Sequence, residues 1–259
     1  MGPPPPACRR SYSGFRTRVA FYLTCGSTVI QCEVRGGCCA ESVVSMTVSP
    51  FKVLPRPSCL PTEPVYWTSW SGRVFDLLRP DPKLIQLSDI AHHLARVCRW
   101  GGGTPGHYSV AEHSLRVGWV APKKFARAAR VHDGHEFVLH DVSEPLRRLL
   151  SPVYPWLVQQ WDFAICEALD VDYDELTSDE VCEADETVRL AEESFILGRQ
   201  APALIDETSW SLASCRWGFH RSGFLERFSI AHVEAVFLQQ LIDDVVDAAE
   251  EKAVSVCGR

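Results

Sequence analysis

A chain of 259 residues, 46% hydrophobic and 23% charged, is long enough to bury one large core with room for an appendage. Its formal charge of −7 argues against a nucleic-acid partner, and no run of 18 apolar residues exists to form a transmembrane helix. Six of the 11 cysteines fall before residue 60 and the others are scattered without a CxxC pair. Neither a zinc ribbon nor a disulfide framework is supported, and a reducing cytoplasm is the expected compartment.

Residues 1–70 read as an N-terminal extension: they open on Pro3–Pro6 and carry seven Lys/Arg against three Asp/Glu. The apolar run Val19–Leu23 is too short and too interrupted for a signal peptide. Met46 is the one internal methionine, so residues 1–45 are expected to be disordered or translated upstream of a true start at Met46. The globular domain is expected over 71–259.

Ser88-Asp89 predicts the cap of a first helix with Ile90, Leu94 and Val97 on one face, ending near Arg99-Trp100 before three glycines. The capping-box pattern Ser109-Val110-Ala111-Glu112 starts a second helix and puts His113 in its first turns. Pro122 begins a third, where Ala126, Ala129, His132 and Glu136 recur at spacings of three and four. A fourth is expected over Trp156–Leu169. A fifth runs from a Ser178 cap through Asp185 to a stop at Gly198, and a last one starts at Ser229. Trp210 and Trp217 lie in a polar link between those two. Strand signals after residue 71 are weak, so the domain reads as all-α.

Two His-Asp dipeptides, His132-Asp133 and His140-Asp141, stand within ten residues. An isolated His-Asp pair means little. Here His113 precedes and Asp185 follows on other helices, which together make a mixed N/O set suited to zinc, cobalt or manganese, with magnesium possible. A zinc-protease reading fails, since His132-x-x-His135-Glu136 is neither H-E-x-x-H nor its inverse. Pro145 pushes Glu144 out of the helical region, so of the two H-D-x-x-E modules the one at His132 is expected to hold the metal.

In order along the chain, Phe75-Asp76-Leu77-Leu78, Asp89-Ile90-Ala91-His92, Cys98-Arg99-Trp100-Gly101-Gly102, Tyr108–Ser114, His132-Asp133 and Glu183-Ala184-Asp185 resemble the HD-domain phosphohydrolases. The nearer likeness is to the branch with the YfbR-type 5′-deoxynucleotidases and the phage dATP triphosphohydrolases. It covers roughly residues 72–200. The resemblance implies an all-α helical bundle, one divalent metal on His113, His132, Asp133 and Asp185, and a homodimer. It further implies catalytic roles for Glu136 and Asp141 and a substrate pocket lined by Arg99 and Trp100. His140 stands where relatives usually carry glycine, so the loop leaving the third helix is expected to differ.

The implied activity is metal-dependent release of phosphate from deoxynucleoside 5′-monophosphates. Cleavage of a deoxynucleoside triphosphate such as dATP is the alternative enzyme, and a catalytically lapsed ligand-binding protein the alternative from another class. No P-loop is present to demand a triphosphate. His92, His93, His107 and His135 are expected in supporting or surface roles.

Overall fold

The computed structural model describes residues 53–198 and 229–257, together with the backbone of strands β1 (Val19–Cys25) and β2 (Thr28–Val34). β1 and β2 pair in a two-stranded sheet and belong to one compact unit; residues 51–259 make up nearly all of a second. The rest of residues 1–45 and the Trp210–Trp217 link lie outside the described residues.

The second unit is mostly helical, as the all-α reading expects. It begins upstream of residue 71, with β3 (Tyr66–Thr68) pairing antiparallel to β4 (Val74–Asp76). Alternation puts Trp67 and Phe75, which face each other across the pair, toward the core and leaves Tyr66 and Val74 in solvent. With three residues each, these strands are too short to show in a periodicity search.

The helices are α1 (Leu87–Leu94), α2 (Val110–Val120), α3 (Ala126–Val131), α4 (Glu136–Leu139), α5 (Glu144–Leu149), α6 (Val153–Leu169), α7 (Tyr173–Leu176), α8 (Asp179–Phe195) and α9 (Ile230–Cys257). α2 packs between α3 and α8, and α9 closes over α1 and α2. Ser109 caps α2 by accepting from the Glu112 N–H, and Ser178 caps α8 by accepting from the Val181 N–H, both as their sequence patterns predict. Among the described residues no helix is long and apolar enough to cross a membrane.

Two expectations change. Ser88 and Asp89 sit inside the first turn of α1 rather than at its cap, which is Gln86. Asp89 is fully buried and turns its carboxylate onto the β3–β4 connection instead, accepting from the hydroxyls of Ser69 at 2.8 Å and Ser71 at 2.7 Å. The predicted third helix is also broken: α3 ends at Val131, a turn spans residues 132–135, and α4 resumes at Glu136. At the turn, a Cβ on Gly134 would come within 2.8 Å of the Val131 carbonyl, so the close approach requires glycine.

An aromatic group formed by Trp67, Phe75, Phe137 and Trp161 fills the space between the strands, α4 and α6, with ring centroids 5.4–6.2 Å apart. Phe75, Phe137 and Trp161 are fully buried, each contributing roughly 1.5–3 kcal/mol by leaving water. Phe137 follows Glu136 directly, so this packing also fixes the backbone beneath the site.

α9 is fastened by charge as well as by Val233, Phe237 and Leu241 in the core. Arg130 on α3 donates through Nε to Asp244 at 2.6 Å and through a terminal nitrogen to the other oxygen. The Arg130 stem lies against Gly118 of α2, in the space a Cβ there would occupy. Gly118→Ala is therefore expected to cost about 1–3 kcal/mol by overpacking against an arginine that Asp244 prevents from moving aside. An unchanged urea midpoint for that variant would show the stem to be mobile.

Candidate metal centre

Three helices bring the site together. His113 comes from α2, His132 and Asp133 from the turn after α3, and Asp185 from the middle of α8. His113, His132 and Asp133 are buried and offer ligand atoms all within 4.8 Å of one another. The Nε2 atoms of the two histidines are 3.3 Å apart, and Asp133 Oδ2 lies 3.2 Å from His132 Nε2 and 3.5 Å from His113 Nε2. Asp185 Oδ1 completes the set at 3.0 Å from His113 Nε2 and 3.7 Å from His132 Nε2.

These separations suit one shared cation. Ligands about 2.1 Å from an ion lie about 3.0 Å apart at right angles and about 3.4 Å apart in a tetrahedron. The hydrogen bonds on the far side of each ring point the same way. His132 Nδ1 is 2.7 Å from the Ala129 carbonyl, which can only accept, so this nitrogen carries the proton. His113 Nδ1 is 2.6 Å from Glu192 Oε1, a carboxylate held down to about 2 because Arg99 and then His113 outweigh the effect of burial. Each neutral ring therefore presents its Nε2 lone pair to the other, a repulsion that a divalent ion between them relieves.

Without an ion, the carboxylates hold protons on the rings instead. Burial opposes charge on His132, yet Asp133 and Asp185 outweigh it and raise its pKa well above the usual value. His113 is raised too, with burial and Arg99 opposing and Glu192 and Asp185 prevailing. The pKa of Asp133 is depressed, chiefly because His132 overcomes the cost of burial. The chain thus carries an HD-type His/Asp cluster that can coordinate a divalent metal, the arrangement of a metal-dependent hydrolase and consistent with the broad HD-domain superfamily.

Glu136 borders this set: Asp133, His135 and Glu136 also offer ligand-type atoms within 4.8 Å of one another. Glu136 Oε1 accepts from Arg147 of α5 at 2.9 Å, while Oε2 is buried without a hydrogen-bond partner. Burial first, then the charges of Asp133 and Asp141, push its carboxyl well above the usual range against Arg147 and Arg99. His135 donates through Nδ1 to the buried Asp162 of α6 at 2.9 Å, and its Nε2 is buried without a hydrogen-bond partner.

The stretch Arg99–Gly102 forms a 3₁₀ turn beside the site, in which Trp100, Gly101 and Gly102 all have positive φ. The Trp100 N–H donates to Asp141 Oδ2 at 2.9 Å, and its indole N–H donates to Glu192 Oε2 at 3.2 Å. Arg99 is buried, with one terminal nitrogen 3.2 Å from Asp133 and the other 3.3 Å from Glu192. The Arg99 guanidinium, expected to line a substrate pocket, is thus engaged with the protein's own carboxylates.

Glu192 escaped the sequence reading. It is fully buried on α8 and accepts from His113, Tyr108, Arg99 and Trp100, yet it sits among Glu183, Glu186 and Glu193 of an acidic helix. Its only signal was the seven-residue step from Asp185, which returns to the same helix face.

The second module stands apart from the metal set. Pro145 does not keep Glu144 out of a helix as expected: Glu144 is the first residue of a new helix, α5, where it pairs with Arg148 at the surface at 2.9 Å. His140 is exposed, with φ 61° and ψ 166°. That conformation costs a non-glycine residue on the order of 1–3 kcal/mol, a strain that glycine would not carry. His140→Gly is expected to raise stability by about 1 kcal/mol, since extra freedom of the unfolded chain offsets part of the relieved strain. A lower urea midpoint in that variant would contradict this.

Of the remaining histidines, His107 lies 3.4 Å from the Cys98 thiol, His92 pairs with Glu234 of α9 at 3.0 Å, and His93 accepts from the Trp70 N–H at 3.0 Å.

No protein-family model matches the chain. A 93-residue stretch is 43% identical to an uncharacterized protein of Rhodobacter capsulatus, covering 32% of this chain and 47% of that protein. A 99-residue stretch is 34% identical to the uncharacterized protein YfdR of Escherichia coli, covering 38% of this chain and 55% of YfdR. The chain spans about half the length of these two relatives.

Proposed function

We propose that this metal-dependent hydrolase acts on nucleotides and releases phosphate from deoxynucleoside 5′-monophosphates, in the manner of the HD-domain deoxynucleotidases its motifs resemble. The observation that carries the reading is the convergence of His113, His132, Asp133 and Asp185 on one point, with the buried Glu136 carboxyl alongside. A divalent ion held there would acidify a bound water and stabilise charge developing on a phosphoryl group.

The protein's own groups supply the rest. Glu136 acts as general acid/base: its free Oε2 faces no competing donor, and Arg147 holds the other oxygen so that the carboxyl keeps one orientation. Asp141, held by the Trp100 N–H, orients water or the sugar at the edge of the pocket. The Trp100 ring packs against sugar or base, and Arg99 draws the phosphate through N–H groups beyond those that fix Asp133 and Glu192.

The test is a screen of the protein loaded with Co²⁺ or Mn²⁺ against nucleoside mono- and triphosphates, assayed for phosphate and for triphosphate. Phosphate from deoxynucleoside monophosphates supports the reading. Triphosphate as the product would move it to the dATP-type reaction. Neither product from any nucleotide would overturn it.

A further inference from the structure

Glu192 reaches two parts of the site with its two carboxylate oxygens. Its Oε1 accepts from His113 Nδ1 at 2.6 Å and from the Tyr108 hydroxyl at 2.8 Å, on the metal side. Its Oε2 accepts from an Arg99 terminal nitrogen at 3.3 Å and from the Trp100 indole at 3.2 Å, on the pocket side. The carboxylate is fully buried, so water cannot replace a lost partner. Arg99 and the Trp100 indole can only donate, the Tyr108 hydroxyl donates to Oε1, and an ionised carboxylate offers acceptors in both directions at once. We infer that Glu192 is a positioning residue that couples the metal centre to the substrate pocket, so that an ion on His113 and order at Arg99–Trp100 reinforce each other. The inference rests on the proposed role of Arg99 and Trp100 in holding substrate.

The physical basis is tautomer control. While Glu192 takes the Nδ1 proton of His113, Nε2 keeps its lone pair toward the ion. The same negative charge draws in Arg99, whose other terminal nitrogen reaches the metal-facing oxygen of Asp133. Movement of the 3₁₀ turn at 99–102 would therefore be felt at two metal ligands, and loss of His113 order would release Trp100.

Glu192→Gln separates the two halves without changing shape. Its amide oxygen can keep His113 and Tyr108, but its NH₂ then faces the donors of Arg99 and Trp100. Rotating the amide would present NH₂ to His113, force the proton onto Nε2 and block the ion. With Co²⁺ and 2′-deoxyadenosine 5′-monophosphate as probes, Glu192→Gln is expected to raise KM about tenfold through lost charge-assisted bonds. Its Co²⁺ affinity should change by less than about threefold and its visible Co²⁺ spectrum should persist, because the His113 contact survives. Glu192→Ala should weaken Co²⁺ about 10–100-fold.

Wild-type Co²⁺ affinity in Glu192→Ala would overturn the inference. So would an unchanged KM in Glu192→Gln, or equal loss of both quantities in that variant. If the wild-type protein releases no phosphate from this nucleotide, the proposed function fails on its own. Coupling is then read from inorganic phosphate binding to the Co²⁺ protein: weaker binding in Glu192→Gln supports it, and unchanged binding overturns it.

Discussion

His132→Ala is expected to leave a folded protein that no longer retains a divalent ion, while His140→Ala stays fully loaded. His132 Nε2 lies within 3.2–3.7 Å of a ligand atom on each of the other three members, so its removal opens one whole side of the set. The loss should exceed the roughly 10–100-fold that follows from removing a supporting hydrogen bond to a ligand, and turnover should fall to background. His140, exposed at the end of α4, has no place in that geometry. Metal content measured on both purified variants decides the matter. A loaded His132→Ala protein, or an empty His140→Ala protein, would reverse the assignment of the two His-Asp pairs.

Binding should also depend on pH in a defined direction. Both ring nitrogens must be deprotonated to coordinate, and in the metal-free protein the neighbouring carboxylates raise the pKa of His113 and His132. Protons therefore compete with the metal even above the usual histidine range. As pH falls through the raised values, affinity should drop by about tenfold per pH unit for each proton displaced.

Glu136→Gln is expected to keep the ion and lose roughly 10²- to 10⁴-fold in turnover, the range for a general acid/base. Glutamine is isosteric, and its amide oxygen can still accept from Arg147, so the aromatic packing under Phe137 is not disturbed. What disappears is the transferable proton at the buried Oε2 position. Retention of more than about a tenth of wild-type turnover would remove Glu136 from proton transfer. Loss of the ion would show it to be a ligand instead.

The helix-bearing part of the fold was legible where local chemistry acts alone. Ser109 and Ser178 sit before apolar-periodic runs, and each caps its helix because the donor it serves is three residues away. Asp89 shows where this reasoning stops. Its sequence surroundings make a good cap, but a buried carboxylate finds stronger partners in Ser69 and Ser71, some 20 residues earlier in the chain. The break between α3 and α4 was hidden for a similar reason: Ala126, Ala129, His132 and Glu136 keep a helical period across a turn whose end residues, His132 and His135, hold helix-like dihedrals. Period alone cannot separate a helix from two helical pieces joined by a tight turn.

Although Asp185 stands mid-helix among other acidic residues, the cluster of His113, His132 and Asp133 was legible, because its residues are chemically distinctive and lie close to a capping or breaking signal. Its support was not. Glu192 carries a common residue type in an acidic helix, and only the tertiary packing of α2 on α8 shows which of those carboxylates is enclosed. The left-handed backbone at Trp100 and His140 was equally invisible, since neither residue type advertises positive φ.

α8 carries Asp185 to His113 Nε2 and Glu192 to His113 Nδ1 from one rigid rod, two turns apart along the axis. Inserting or deleting a single residue between them would swing one carboxylate about 100° away from the other. That interval therefore tolerates no change in length. The route from Asp133 to Asp185 passes through α4–α7 and their connections, and can gain or lose residues at the surface without turning either ligand. Homologues that keep this chemistry should vary in length along the second path and be invariant in length along the first.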